Sequence, residues 1–226
     1  GSAEYTLTVM DVLRDAAEVY NLAKEEKFVL TEPLTVFYVN GQNVYAAGAN
    51  RNLLLYNGTK YEVGTVIKRL EGTVDVYNGL VEIIKYTAET ENPGATVSPK
   101  TMKVADITSN NINDYVVLDN VDITAFDDKG NGTISQNGAT VALYNKFKLT
   151  DVAVAQGLKI IGILGVYGTT VQLQPISIDV TTGIEEINAD DASAVYYNLQ
   201  GIRVADNAKG LLIRRQGDKI VKVVVK

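Results

Sequence analysis

The chain has 226 residues, 46% of them hydrophobic, and its 27 acidic and 21 basic side chains give a formal charge of −6. It holds no Cys, His or Trp, which removes disulfides, thiolate nucleophiles, imidazole bases, most zinc and iron sites and the catalytic triads built on them. The acidic balance works against a general polyanion binder, no apolar stretch approaches the roughly 20 residues of a membrane-spanning helix, and the length allows two modest cores or one large one.

The opening Gly1-Ser2-Ala3 reads as a remnant ahead of a mature or trimmed sequence, an expectation compatible with a removed secretion signal. Val9 to Lys27 carries Val12, Leu13, Ala16, Val19, Tyr20 and Ala23 at spacings of one, three and four. That spacing predicts one packed helix or two short ones. From Leu34 the texture changes to short runs rich in Val, Tyr, Thr and Leu: Leu34–Val39, Asn43–Ala47, Leu53–Tyr56, Val63–Tyr77 and Leu80–Tyr86. Asn40-Gly41 and Asn57-Gly58 supply the positive φ that tight hairpins need, so both predict turns between antiparallel strands. Glu89 to Pro99, with Pro93-Gly94 at its centre, reads as a linker.

Beyond the linker the pattern recurs. Leu53–Asn57 is echoed by Val141–Asn145 at an offset of 88, and Gly72–Ile83 by Gly162–Leu173 at a constant offset of 90. A weaker echo joins Leu7–Val12 to Met102–Ile107. An approximate duplication explains all three, each copy being long enough to close its own β core. In the second copy the Asn-rich Ser109–Asp114 replaces the long helix and predicts a short helical turn. From Gly183 four strand-like runs follow, Ala194–Tyr197, Gly201–Ala205, Gly210–Arg214 and Lys219–Lys226, and this part carries a net +1 against −7 for the rest.

The motifs of this last segment, Gly183–Ile187, Val195–Val204, Lys209–Ile213 and Lys219–Lys226, resemble the C-terminal module of secreted and surface proteins of Bacteroidetes, the sorting domain read by that phylum's dedicated secretion system. The resemblance implies export, with the tail as address or anchor, and so a secreted or cell-surface location with outer-envelope association through the tail or a removed signal. Residues 5 to 180 resemble the tandem OB-type barrels of exported proteins of the same phylum, on a Leu-Tyr strand near a turn followed by a glycine-marked strand pair, here Tyr56 to Ile83 and Tyr144 to Leu173. The expected architecture is therefore mainly β: an OB-like barrel module with an amino-terminal helix at 4–92, a second OB-like barrel at 98–181 and a small β-sandwich-like tail at 183–226. OB barrels bind oligonucleotides or sugars in some families and brace neighbours in others, so function does not come with the fold.

Candidate residues divide into packing and ligand readings. Tyr38, Tyr45, Tyr56, Tyr61 and Tyr77 suit either strand packing or a stacking platform. The echoed Tyr56 with Tyr144, and Tyr77 with Tyr167, point to packing within the repeat, which leaves Tyr38 and Tyr45 as the ligand candidates. Asp127-Asp128-Lys129-Gly130-Asn131-Gly132 resembles the start of a calcium loop, but Lys129 replaces an oxygen ligand and Gly138 stands where a bidentate Glu belongs, so it reads as a solvated hairpin turn. Gly162, Gly165 and Gly168 read as barrel bends rather than a phosphate loop. Asp75 and Glu82, flanking a predicted hairpin, are the one acid pair weighed as a glycosidase-like site.

These residues predict no catalytic group, no metal and no cofactor. The expected function is an exported, non-catalytic interaction or structural protein engaging a glycan or another protein at the cell surface. A single-stranded nucleic-acid-binding OB protein is the alternative, although the charge disfavours nucleic acid.

Overall fold

The computed structural model describes residues 10–180, 184–186, 195–205, 208–216 and 219–225. The chain is mainly β and divides into two compact units, the first running to Ile178 and the second starting at Asp179.

The first barrel is a closed ring of five strands: β3 (Leu34–Asn40), β4 (Asn43–Ala47), β5 (Asn52–Tyr56), β6 (Val66–Tyr77) and β7 (Leu80–Glu91). Its order is β6-β3-β4-β5-β7, closed by β6 against β7. β2 (Lys27–Leu30) is added antiparallel to β6, and β1 (Asp11–Leu13) parallel to β2. The second barrel repeats the plan with β9 (Tyr115–Phe126), β10 (Asn131–Gln136), β11 (Ala139–Tyr144), β12 (Ala155–Tyr167) and β13 (Thr170–Val180), ordered β10-β11-β13-β12-β9 and closed by β10 against β9. β8 (Lys100–Thr101) lies parallel to β9. In both rings the first strand pairs with the second and fourth, and the third with the fifth, the Greek-key circuit of an OB barrel.

The duplication shows most directly in register. Leu55 of β5 pairs in parallel with Ile83 of β7, and Leu143 of β11 with Leu173 of β13. These are the residues the two sequence echoes align. The weaker echo has no structural counterpart: Asp11–Leu13 is strand, whereas Val104–Asp106 is a 3₁₀ turn, and Leu7–Val9 lie outside the described residues.

The long amino-terminal helix is corrected to a six-residue 3₁₀ helix, Ala16–Asn21, between two strands. Asp15 caps it by accepting from the Ala17 N–H at 2.8 Å, and Glu18 closes the box from the other side. Ala16 and Val19 fill the core as the apolar stripe requires. The chain does not continue as helix because Glu25 adopts φ +74 and the backbone pairs with β6, the Glu25 N–H donating to the Val74 carbonyl at 2.8 Å and the Val74 N–H to the Glu26 carbonyl at 2.9 Å. Sheet pairing therefore overrides the helix propensity of Leu22–Glu26. Ser109–Asn111 forms the short helical turn expected in the second copy.

Asn40-Gly41 opens the two-residue β3–β4 hairpin, with Gly41 at φ +58. Asn57-Gly58 does not make a hairpin. It ends β5, whose other neighbour is the distant β7, and Gly58 lies under the Tyr86 ring, where a Cβ would approach to 2.6 Å.

Each barrel owns a core, the first around Phe28, Leu30, Val36, Leu53, Leu55, Ile67 and Ile83, the second around Val116, Leu118, Ile123, Ile134, Leu143, Ile160 and Leu173. A third cluster joins them. Phe37, Tyr45, Leu54 and Leu80 of the first barrel pack against Ile112, Phe147, Ile163 and Val166 of the second. The Leu53-Leu54-Leu55 run has this physical cause: Leu53 and Leu55 point into the barrel while Leu54, one residue out of phase, points into the seam, so the strand is apolar on both faces. Asn113 clamps the seam, donating to the Tyr20 hydroxyl at 3.0 Å and to the Val81 carbonyl at 3.2 Å, while the Arg51 guanidinium lies 3.7 Å over the Tyr20 ring. Among the described residues, the strands before Pro93 and those from β8 to β13 form separate sheets that share one apolar seam.

In the C-terminal unit, β14 (Ile184–Glu186), β15 (Val195–Tyr197), β16 (Arg203–Val204), β17 (Gly210–Gln216) and β18 (Lys219–Val225) form one five-stranded sheet ordered β14-β18-β17-β15-β16. Tyr196, Leu212 and Val223 make its small core.

Candidate functional site

The two barrels leave a cleft of about 640 Å³ beside the seam. Four of its lining residues are Tyr56, Tyr77, Tyr144 and Tyr167, joined by Asn43, Asn78, Gln172 and Gln174 and by Asp75, Glu82 and Lys146. Each tyrosine is the last residue of its strand: Tyr56 of β5, Tyr77 of β6, Tyr144 of β11 and Tyr167 of β12. Residues with positive φ follow three of them, Asn57 at +54, Asn78 at +47 and Gly168 at +63, so the chain turns away directly after the ring. Tyr77 is 64% exposed, Tyr167 66% and Tyr144 37%.

The hairpin tips meet at this cleft. The Gly168 N–H donates to the Asn78 carbonyl at 2.8 Å, and a Cβ on Gly79 would lie 2.4 Å from the Gly168 carbonyl oxygen. Gly79 also has φ +82, so no other residue takes that position without strain.

The charged groups of the cleft already have internal partners. Asp75 and Glu82 are directly opposite in the β6–β7 ladder. Lys24 holds Asp75 at 2.6 Å, and this contact keeps the Asp75 carboxyl below its ordinary value and raises the Lys24 ammonium. Burial pushes the Glu82 carboxyl up, with the neighbouring Asp75 charge adding to the effect and Lys146 and Lys24 opposing it. Lys146 donates to the Tyr45 hydroxyl at 2.9 Å, and burial lowers its own tendency to hold a proton. Acids whose affinities for protons are driven apart are a recognised mark of functional sites. Here a cation answers one acid, and burial raises the proton affinity of the other.

Tyr38 and Tyr45 lie elsewhere than the ligand reading places them. Tyr45 is 1% exposed, in edge contact with Phe147 at 6.1 Å, and burial raises its hydroxyl strongly. Tyr38 is half-buried against the same ring at 4.8 Å. Both belong to the seam between barrels. The repeated tyrosines, read from the sequence as packing within the repeat, are partly or largely exposed and come together at the cleft.

Gly162 and Gly165 are not bends. They lie within β12 and allow close approach of Gln174, whose carbonyl oxygen would be 2.6 Å from a Cβ at 162 and whose amide nitrogen 2.3 Å from one at 165. Gly165 therefore makes room for the Gln174 amide that lines the cleft. Gly168, in the hairpin, does turn the chain. The Asp127 segment is a hairpin turn between β9 and β10, with Asp127 accepting from the Lys129 and Asn131 N–H groups at 3.0 and 2.7 Å. Among the described residues no three acidic side chains are grouped to hold a metal ion.

No family model matches the chain, and no curated protein matches it. Among solved structures it is similar to the telomere capping protein Ten1 from Saccharomyces pombe, with 16% identity, covering 39% of this chain and 86% of that one, at a TM-score of 0.31. It is also similar to the p204 HINb domain, with 14% identity, 66% and 96% coverage and a TM-score of 0.34. A third similarity is to the Ifi202 HINa domain in complex with a 20-bp double-stranded DNA, with 16% identity, 68% and 97% coverage and a TM-score of 0.33. Scores this low add nothing to what the strand order establishes.

The signal for the site was the repeated placement of tyrosine at the end of a strand, just before a turn residue. Nothing in the sequence marked Gln172 or Gln174, because the partnership of Gln174 with Gly165 exists only once β12 and β13 are side by side.

Proposed function

We propose that the protein is a non-catalytic carbohydrate-binding protein whose ligand lies in the cleft between the two barrels. The observation that carries this reading is the convergence of Tyr56, Tyr77, Tyr144 and Tyr167 with four side-chain amides in one open cleft. Sugar rings present an apolar face that stacks on aromatic rings and a rim of hydroxyls that amides and carboxylates can hydrogen-bond, as ligand sites with few placed polar groups generally do. Asp75 and Glu82 bring acidic groups to the cleft lining, which disfavours a phosphate backbone and favours a sugar over a single strand. Lys24 occupying Asp75, whose carboxyl is held below its ordinary value, supports binding over turnover.

The C-terminal sheet fits the remaining part of the proposal: an address or anchor on an exported protein. Its own small core lets it serve as a separable unit.

Retention on a panel of immobilised cell-surface glycans tests the reading. Expected is retention by the whole chain that is lost in the Tyr77→Ala, Tyr167→Ala double variant and kept in Tyr38→Phe. Retention of no glycan, with retention of single-stranded oligonucleotides at low salt, would overturn it.

A further inference from the structure

We propose that the cleft takes a linear oligosaccharide of uncharged sugars, read by two equivalent subsites, one from each barrel. This rests on the carbohydrate reading above and adds the length and the charge of the ligand.

Length follows from the duplication. Tyr56 and Tyr144 end the equivalent strands β5 and β11, and Tyr77 and Tyr167 end the equivalent strands β6 and β12. One barrel therefore brings a pair of rings to the cleft, and the other barrel brings the corresponding pair. The Gly168 to Asn78 hydrogen bond fixes the two hairpins to each other at the rim, and the apolar seam fixes the barrels beneath, so the two ring pairs are held at a set spacing. A platform of repeated aromatic positions suits a ligand that itself repeats, each ring pair holding a successive part of the chain. A single sugar engages only one of them. The cleft's volume, about 640 Å³, lies within the range of about 300 to 1,000 Å³ typical of small-ligand sites and leaves room for more than one ring.

Charge follows from the partners already present. Lys24 answers Asp75 at 2.6 Å, and Lys146 lies on the Tyr45 hydroxyl at 2.9 Å with Glu82 beside it in the same lining. Among the described lining residues the one cation is Lys146, which donates to the Tyr45 hydroxyl and is partly buried, while the ionised Asp75 repels a uronate or sulfate. Beside the acids, the contacts on offer to a ligand are neutral: tyrosine faces and the amides of Asn43, Asn78 and Gln172, with the largely buried Gln174 amide in the same lining. Each amide both donates and accepts, which matches hydroxyls and not fixed charges.

The test is calorimetric titration of the whole chain with ladders of neutral gluco- and manno-oligosaccharides from one to six sugars. Oligogalacturonides and a thymidine oligonucleotide of equal length serve as charged comparisons. Expected is an affinity that rises about tenfold or more from one sugar to four and then levels off. Tyr77→Ala and Tyr167→Ala should each lower the plateau by a similar factor and flatten the dependence on length, while Tyr77→Phe and Tyr167→Phe retain it. Thermal midpoints should stay unchanged, both rings being largely exposed. A monosaccharide that binds as tightly as the hexamer, or a loss confined to one of the two Ala variants, overturns the paired subsites while leaving sugar binding intact. Tighter binding of oligogalacturonides overturns neutrality alone. Failure of every sugar, neutral and charged, with or without binding of the oligonucleotide, removes the carbohydrate reading together with this inference.

Discussion

Asp75 stands directly across the β6–β7 ladder from Glu82, a placement that sets two acids side by side on one face of the sheet. Like charges in that position destabilise a sheet, and the structure resolves the conflict by treating the two differently. Lys24 keeps Asp75 ionised, while burial and the Asp75 charge favour the neutral form of Glu82.

The consequence for stability has opposite signs at the two residues. The lowered Asp75 value contributes stability present above its unfolded value and lost as pH falls through the folded one. The raised Glu82 value contributes stability fully present below the unfolded value, about 4.3 for Glu, and lost as pH rises through the folded one. Glu82→Gln removes only the second effect. Its thermal midpoint should exceed that of the parent chain at pH 7, with the difference vanishing well below pH 4. Melts followed by circular dichroism between pH 3 and 8 check this, and a difference independent of pH would refute it.

The seam predicts that the two barrels unfold together. Leu54 belongs to the first barrel but is buried in the cluster that this barrel shares with the second. Leu54→Ala should cost about 2–5 kcal/mol, the range for buried leucines. Because the lost contact is shared, amide exchange should quicken in β12 as well as in β5. Faster exchange confined to the first barrel would show that the seam carries no coupling.

Much of the architecture was legible because β patterning and the repeat are local signals. Leu55 and Leu143 could be matched before any fold was known, and they occupy matching ladder positions. The helix over Val9–Lys27 was misjudged because its pattern fits a helix while its Glu25 and Glu26 backbones are claimed by β6, a partner some fifty residues away in sequence. The site was half legible. Repetition picked out Tyr56, Tyr77, Tyr144 and Tyr167, but a repeated ring serves packing and binding equally well, and only the position of one barrel beside the other brings all four to one cleft. Tyr45 went the opposite way for the same reason: strand alternation points it out of its own barrel, and nothing local to β4 says that Phe147 waits there.

Tyr86 links turn geometry to alkaline stability. Its hydroxyl donates to the Thr59 carbonyl at 2.7 Å, and burial, with Tyr61 nearby, pushes it up to about 12. The unfolded chain ionises near 10, so stability should fall as pH climbs from about 10 towards 12. Tyr86→Phe loses part of that dependence along with one hydrogen bond, worth about 1 kcal/mol. Gly58→Ala, which drives a methyl into the same ring, should cost about 1–3 kcal/mol at every pH. Denaturant titrations at pH 7 and 10.5 separate the two. A Tyr86→Phe chain with the parent's full alkaline slope would assign that slope elsewhere.

Gly162 and Gly165 make the last prediction, because both face Gln174 and yet differ in what gives way. A Cβ at 162 meets the Gln174 backbone carbonyl at 2.6 Å, held by the sheet, whereas a Cβ at 165 meets the end of the Gln174 side chain, which can rotate. Neither glycine has a positive φ, so alanine is acceptable to the backbone at both. Gly162→Ala should therefore lower stability by about 1–3 kcal/mol, the cost of overpacking. Gly165→Ala should leave the thermal midpoint close to the parent's but push the Gln174 amide out of its place in the cleft lining. In a chain that binds oligosaccharides, Gly165→Ala should weaken binding several-fold without loss of fold. The reverse ranking, with position 165 the costlier for stability, would show that the Gln174 side chain is held rigidly and that the strands, not the amide, yield.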